Sequence, residues 1–384
     1  MFPIIIIYAV IITLIGIPLC YWMYFKIKNP FWGCQPVNHS HHFYRKYMKP
    51  FIIEYEFYNH KFINPLQIKT QAMQDFSYHK EFQQFIQEHF CNNSSFKYLP
   101  TYSDHIEPYF KDDKNAYVST YRMDGLIVGT ITNRSVHIVL PDNNKFLVSY
   151  IDFLCVHKGQ RKRNVAPELI QTHEHFQRSK SNKKCLVSLF KKEGKLHNFI
   201  PLVKYTTFSY DLTKQTQIHR QVIPAHLKLT WFSLSTFKKI LPHLEYSQNP
   251  KSFFLISPIE CLMNLVERKS IQVCGVLDMN TQECVASYWF RDTGFYVDSD
   301  KPNLECFASL WNKEKMSLQA FKSCFLEALI KISSSYHLLQ LEATGNNCIL
   351  SRMPWKKEYE TLCAYYLYNY SHKTIKADDI AIII

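Results

Sequence analysis

A mixed α/β (α+β) fold preceded by one transmembrane helix is what the sequence predicts, on three observations. The first 25 residues, Met1 to Phe25, carry no charge and open on the apolar run Ile4-Ile5-Ile6-Ile7. Between Tyr117 and Val156 the residues alternate as successive strands do, and a helical pattern follows at once. A looser version of that rhythm, two strands and then an apolar helix, returns between Ile271 and Ser335.

At a rise of about 1.5 Å per residue, residues 4–25 are long enough to cross a hydrocarbon core of about 30 Å. Thr13, Gly16 and Pro18 are tolerable inside such a helix, and Tyr21, Trp22 and Tyr24 fall where interfacial aromatics belong. A cleaved signal peptide fits less well, because the run lacks a cationic start and a small-residue cleavage site. Cations follow the run (Lys26, Lys28, Arg45, Lys46, Lys49) and none precedes it. The expectation is a single-pass membrane protein with its catalytic body in the cytosol. Phe2 follows Met1, so the Met-Gly start of a myristoylated chain is missing.

Residues 29 to about 50 read as an extended arm punctuated by proline. Gln71 to Phe90 has helical periodicity through Met73, Phe76, Phe82, Phe85 and Ile86. Tyr117 to Val148 reads as strands separated by Gly125 and by the turn Pro141-Asp142-Asn143-Asn144. Tyr150-Ile151-Asp152-Phe153-Leu154-Cys155-Val156 then continues as a largely buried strand whose one charged residue is Asp152. It runs into Arg161-Lys162-Arg163-Asn164-Val165-Ala166-Pro167, after which Leu169, His173 and Phe176 share one helix face. Farther on, Ser235 to Leu241 is expected as a short helix capped by Ser235 and stopped by Pro242. Two strands meeting at Asn280-Thr281, a helix over Ser317 to Ser335, and strands at Leu338–Leu341 and Cys363–Tyr370 complete the order.

With 384 residues and 47% hydrophobic content the chain can bury a real core. The net charge of +13 is compatible with nucleic acid, an anionic membrane or an anionic small molecule. No helix-turn-helix, zinc-finger or RNP-like pattern accompanies it, so no nucleic-acid partner is expected. Twelve cysteines at irregular spacing include no C-x-x-C and no zinc-like Cys/His set, which predicts reduced thiols and no metal. His39, His41 and His42 read as a solvated basic loop.

Chemistry concentrates at the strand-to-helix passage. A helix N-terminus offers unpaired N–H groups and the positive end of the helix dipole, a ready seat for pyrophosphate. The strand end supplies further N–H groups where a thioester carbonyl can lie. An ordinary strand-turn-helix with a solvated basic turn fits the same pattern. Cys155 offers a separate route, a thiolate forming an acyl-enzyme, which burial in an apolar strand disfavours.

Phe153-Leu154-Cys155-Val156-His157-Lys158, with Arg161 through Val165-Ala166-Pro167, resembles the signature of eukaryotic glycylpeptide N-myristoyltransferases. Phe31-Trp32-Gly33-Cys34-Gln35-Pro36-Val37 resembles that family's Phe-Trp-x-Thr-Gln-Pro-Val, and Tyr365-Tyr366-Leu367-Tyr368-Asn369-Tyr370 its Tyr-Tyr-Leu-Tyr-Asn-Trp. Weaker likeness joins them, as at Leu126-Ile127-Val128-Gly129 and Val136-His137-Ile138. Three separated motifs in the right order are more specific than one. Arg161-x-x-Asn164-x-Ala166 is also similar to the phosphate loop Arg-x-x-Gly-x-Ala of the GNAT acyltransferases. Asn stands in the glycine position, the substitute that best tolerates positive φ.

The resemblance implies two fused GNAT-like halves around a saddle-shaped mixed sheet, an acyl-CoA-binding half over 29–215 and a half over 216–384 that contributes the peptide groove and the chain end; the anchor expected over 1–28 is a departure from it. It implies myristoyl transfer from myristoyl-CoA, a co-substrate, to the N-terminal glycine of target proteins, with no permanently bound cofactor. Backbone N–H groups of Phe153 and Leu154 would polarise the thioester, each worth on the order of 3 kcal/mol. The Ile384 carboxylate would deprotonate the amine. Phe31, Trp32, Phe153, Leu154, Cys155 and Val156 would line the acyl-pantetheine, with Arg161, Lys162, Arg163, Asn164, Val165, Ala166 and Pro167 around the phosphates. The apolar end Ile380-Ala381-Ile382-Ile383-Ile384 is expected to be buried, since an exposed run of that kind would aggregate.

Two departures concern the acceptor. The family's acidic loop stands here as Asn92-Asn93-Ser94-Ser95 before Phe96-Lys97-Tyr98, and its peptide-groove segments are replaced around Val187–Phe190 and Leu202–Tyr205. A catalytically silent acyl-CoA-binding protein and a GNAT-type enzyme acting on another amine are the alternatives.

Overall fold

The computed structural model describes residues 2–57, 60–91, 96–141, 144–180, 185–214, 221–247, 253–297 and 300–384. The segment Asn92–Ser95 and the turn residues Asp142–Asn143 lie outside it, as do the side chains of residues 2–11.

Among the described residues, fifteen strands form one mixed sheet. Its central order is Ile380–Ile383, Phe253–Ile256, Leu126–Val139, Lys145–Val156, Ser188–Glu193, Tyr359–Tyr368, Val203–Asp211, Leu338–Glu342, Pro302–Trp311, Cys284–Val297, Ile271–Asp278 and Leu227–Trp231. The sheet runs unbroken past the expected boundary at 215/216. The repeat that sequence identity hides is visible in connection and direction. Leu126–Val139 and Lys145–Val156 pair antiparallel, helix Val165–Lys180 crosses over, and Ser188–Glu193 returns parallel to Lys145–Val156. Cys284–Val297 and Pro302–Trp311 pair antiparallel, helix Leu318–Ile332 crosses over, and Leu338–Glu342 returns parallel to Pro302–Trp311. Two similar units laid side by side bury both crossover helices against one sheet.

Several expectations need correction. The segment from Gln71 is strand and 3₁₀ turn before the helix His79–His89 begins. The helix Leu234–Phe237 starts two residues earlier than expected: Ser233 caps it, in a capping box with Thr236. Pro242 does not stop the chain, because it sits in the first turn of a new helix, Leu241–Ser247, where its missing N–H costs nothing. His39 is buried rather than solvated, its ring stacked on His41 at 4.9 Å.

The chain end is a strand inside the core. Ile380–Ile383 runs parallel to Phe253–Ile256, and Ile380, Ile382, Ile383 and Ile384 are all buried. The N-terminal helix, Phe2–Lys28, meets the body at Tyr21, whose hydroxyl lies 3.0 Å from Ser40 Oγ, and at the buried Phe25. Ile12, Ile15, Ile17, Leu19, Met23 and Ile27 are exposed on all its sides. Among the described residues no helix is long and apolar enough to cross a membrane, a statement that leaves out the side chains of residues 2–11.

Candidate active site

Strand Lys145–Val156 pairs with Leu126–Val139 in regular register to Asp152↔Thr132, then resumes at Cys155↔Thr130. Two residues, Phe153 and Leu154, therefore face the single Ile131, a β-bulge. Phe153 sits at φ +46°, a conformation that costs a bulky residue on the order of 1–3 kcal/mol and that clusters at functional sites. Its carbonyl accepts from Thr130 Oγ1 at 3.0 Å, and that of Asp152 accepts from Thr132 Oγ1 at 3.0 Å. The Phe153 N–H donates to Asp152 Oδ1 at 2.9 Å. Phe153 is buried and Leu154 is exposed at the bulge.

Two cavities meet at this bulge. The larger, about 990 Å³, runs inward and is lined by Phe31, Trp32, Asp152, Phe153, Leu154 and Ile384 among others. The smaller, about 540 Å³, lies toward the basic turn and is lined by Leu154, Cys155, Val156, Arg161, Lys162, Asn164, Val165, Ala166 and Pro167. Leu154, Asn164, Ala166 and Pro167 belong to both walls. Of the site residues that the resemblance implies, Arg163 alone lines neither cavity; its guanidinium turns to Gln160 Oε1 at 3.3 Å. Pro167 has no N–H and contributes only ring and fixed φ.

Local geometry builds the basic turn. Asn164 at φ +63° and Lys162 at φ +65° carry the chain into helix Val165–Lys180, whose first hydrogen bond runs from the Glu168 N–H to the Asn164 carbonyl. Arg161 is tied down, donating from Nη2 to the His89 carbonyl at 3.0 Å and from Nε to the Val156 carbonyl at 3.3 Å. It braces the turn against helix His79–His89 and keeps its charge at the cavity wall. Cys155 is buried, and burial pushes its thiol up to about 12, so a thiolate nucleophile is not available there.

The two distant aromatic motifs converge. Val37 bridges to Tyr368, the Tyr368 hydroxyl donates to Gln35 Oε1 at 2.6 Å, and the Asn369 N–H donates to the Pro36 carbonyl at 2.7 Å. Trp32 stacks on Phe190 at 5.8 Å, and Phe190 stacks on Tyr366 at 5.4 Å. The arm after the N-terminal helix is thus pinned to strand Tyr359–Tyr368 and forms part of the cavity wall. Asn369, wholly buried at φ +64°, donates to the carbonyls of Glu54 and Leu186, both at 2.8 Å.

Sequence reasoning missed the charges inside the larger cavity. Arg291 donates from Nη1 to an Ile384 carboxylate oxygen at 3.0 Å and pairs with Glu305. Lys191 pairs with Glu193 at 2.7 Å and with Glu342 at 2.6 Å. Arg134 stacks over Tyr109 and Tyr150, at 5.0 and 4.8 Å, and donates to Ser257 Oγ. The signal that could have found one pair is cross-strand register, since Arg291 and Glu305 stand directly opposite on neighbouring strands. Acidic groups on the inner wall, Asp104, Asp152, Glu174, Glu193, Asp292, Glu305 and the Ile384 carboxylate, outnumber its cations Arg134, Lys191, Lys192 and Arg291, although the chain is strongly basic.

Residues 54–195 match the family described as "Myristoyl-CoA:protein N-myristoyltransferase, N-terminal domain". That stretch contains the bulge and basic turn but neither the Phe31-Trp32 motif nor the Tyr365–Tyr370 motif. No curated protein sequence matches the chain significantly. Among solved structures, a Saccharomyces cerevisiae N-myristoyltransferase with bound myristoyl-CoA is similar, with a TM-score of 0.70 at 14% identity over 92% of this chain and 91% of that one. Another, with bound myristoyl-CoA and inhibitors, gives 0.71 at 14% identity over 94% and 96%. The chain therefore resembles the N-myristoyltransferases, in sequence over residues 54–195 and in fold over nearly its whole length.

Proposed function

We propose that this protein transfers a myristoyl group from myristoyl-CoA to the N-terminal glycine amine of target proteins. The observation that carries the reading is the junction of the two cavities at the Phe153–Leu154 bulge. A basic turn leading into a helix N-terminus suits the CoA phosphates, and the bulge suits the thioester. An inner wall richer in carboxylates than in cations favours a cationic amine. In this reading the acyl thioester lies against the Phe153 and Leu154 N–H groups, Phe31 and Trp32 pack on the acyl-pantetheine, and the amine attacks directly. The Ile384 carboxylate, on the same cavity wall, is a proton acceptor for that amine. One residue added after Ile384 displaces it by up to about 3.5 Å, beyond hydrogen-bond reach.

The test is release of CoA thiol from myristoyl-CoA by the purified full chain, with Gly-initiated peptides, N-acetylated versions of the same peptides, or no peptide. Release that requires a free glycine amine, and is lost on extension past Ile384, supports the reading. Saturable acyl-CoA binding without peptide-dependent release overturns it in favour of a silent acyl-CoA-binding protein.

The N-terminal helix is part of the proposal as a single-pass anchor with the body on the cytosolic side. Its support is an apolar surface exposed among the described side chains from Ile12 to Met23, aromatics at Tyr21, Trp22 and Tyr24, and Lys26 and Lys28 at its end. Asn29, Pro30, Phe31 and Trp32 line the cavity directly after it. Resistance of the full chain to alkaline extraction from membranes, lost on deletion of residues 1–25, is the expected outcome; extraction of the full chain contradicts the anchor.

A further inference from the structure

We propose that Asp152 takes the proton from the acceptor amine, a second carboxylate acting beside the Ile384 chain end. The inference rests on the amine-acylation reading above and deepens it. Asp152 immediately precedes the bulge and faces the larger cavity. The Phe153 N–H fixes its Oδ1 at 2.9 Å, so the carboxylate is oriented and adjacent to the point where the thioester is to be polarised.

Its surroundings differ from those of the ion-paired carboxylates of that wall. Glu193 has Lys191, Glu305 has Arg291 and Glu174 has Arg178 at 2.9 Å, whereas Asp104, also without a cation partner, is held by the Thr101 hydroxyl away from the bulge. One oxygen of the Ile384 carboxylate already accepts from Arg291. Among the described residues no cation lies within 4.0 Å of Asp152. Arg134, from the neighbouring strand, is engaged over two tyrosine rings and with Ser257. The other groups acting on Asp152 are Lys191, from the strand paired on its other side, Arg291, and Tyr98 and Tyr150. Burial outweighs these cations and raises the carboxyl's proton affinity above the ordinary aspartate value, toward what a working base needs.

The step balances as follows. The ammonium gives one proton to Asp152, and the neutral amine nitrogen attacks the thioester carbon. The Ile384 carboxylate takes the second amine proton and passes it to the thiolate as the C–S bond breaks, so the products are amide and CoA thiol, and Asp152 returns its proton to solvent. Protonated Asp152 holds the Phe153 N–H less strongly than the carboxylate does, because a charge-assisted hydrogen bond becomes a neutral one. The first proton transfer therefore frees that N–H for the oxyanion.

The experiment uses the full chain with myristoyl-CoA and a Gly-initiated peptide, comparing wild type, Asp152→Asn and Asp152→Ala. Asp152→Asn is expected to lower kcat by about 10²-fold or more, with myristoyl-CoA affinity unchanged. Its rate should climb with pH as the amine, with an ordinary value of about 8, loses its own proton. Added formate should restore part of the Asp152→Ala rate, which a residue that merely shapes the bulge would not permit. Asp152→Asn turnover within about threefold of wild type and with the same pH profile, or an Asp152→Ala defect that formate leaves untouched, overturns the proposal. Absence of product from wild type with every amine would instead sink the function on which it rests.

Discussion

Phe153, Lys162 and Asn164 hold positive φ within twelve residues of one another, and none is glycine. Such backbone persists only where the surroundings over-determine it, and here it shapes the bulge and the turn that the two cavities share. Asn164 tests the turn. Asn164→Gly is expected to keep both stability and myristoyl-CoA affinity, since glycine visits this region freely. Asn164→Val, β-branched, is expected to cost about 1–2 kcal/mol and to weaken acyl-CoA binding, read from thermal midpoints and a binding titration. Equal behaviour of the two variants would mean that the turn does not need the conformation it adopts. Asn164 was legible in sequence because an asparagine stood where a phosphate loop wants glycine. The strain at Phe153 was not, because nothing in its residue type prefers φ +46° and only the two-against-one pairing with Ile131 imposes it. Asp152 stood out as the lone charge in an apolar strand, but its isolation from cations depends on side chains from three other strands.

At the scale of elements, the basic turn is placed by how closely helix Val165–Lys180 approaches the sheet. A Cβ on Gly129 would lie 2.7 Å from Leu169 Cδ1 and 3.0 Å from Val165 Cγ1, so the helix start is seated on a glycine. Gly129→Ala is predicted to push that helix outward, lowering stability by about 1–3 kcal/mol and raising the Kd for myristoyl-CoA. A variant that loses neither would show that the approach is not required. Periodicity revealed this helix and the strands before it, since Leu169 and His173 lie on its buried face. It misplaced the start at Ser235 and read Pro242 as a stop, because a proline in a helix's first turn and one just past a helix end look alike in sequence. The repeated strand-helix-strand units could not be read at all from residue identities. They are defined by which strands run parallel, and a chain records that only through contacts far apart in sequence.

For the whole molecule, a basic exterior surrounds neutral buried histidines. His173 and His243 are held by burial at about 3 and about 4, below their ordinary 6.5. The unfolded chain takes up these protons first, so stability is full above pH 6.5 and is lost as pH falls through the range toward 3–4. At about 1.4 kcal/mol per unit, each contributes a loss of about 2 kcal/mol by pH 5. The urea midpoint of the full chain should therefore fall steadily from pH 6.5 to pH 5; a flat midpoint would contradict the neutral, buried placement. At this scale the sequence conveyed the mixed α/β class and most of the residues that line the two cavities near the bulge, because those motifs are contiguous. The charges of the inner wall were illegible, since they come from strands at 134, 152, 191, 291 and 305 and from the chain end.

Mass spectrometry of Gly-initiated peptides after incubation with the full chain and myristoyl-CoA tests the central claim most directly. The account predicts a single myristoyl adduct on the N-terminal glycine nitrogen, absent when Ile384 is extended. An unmodified peptide from a chain that binds myristoyl-CoA, or an adduct at another nitrogen, would contradict it.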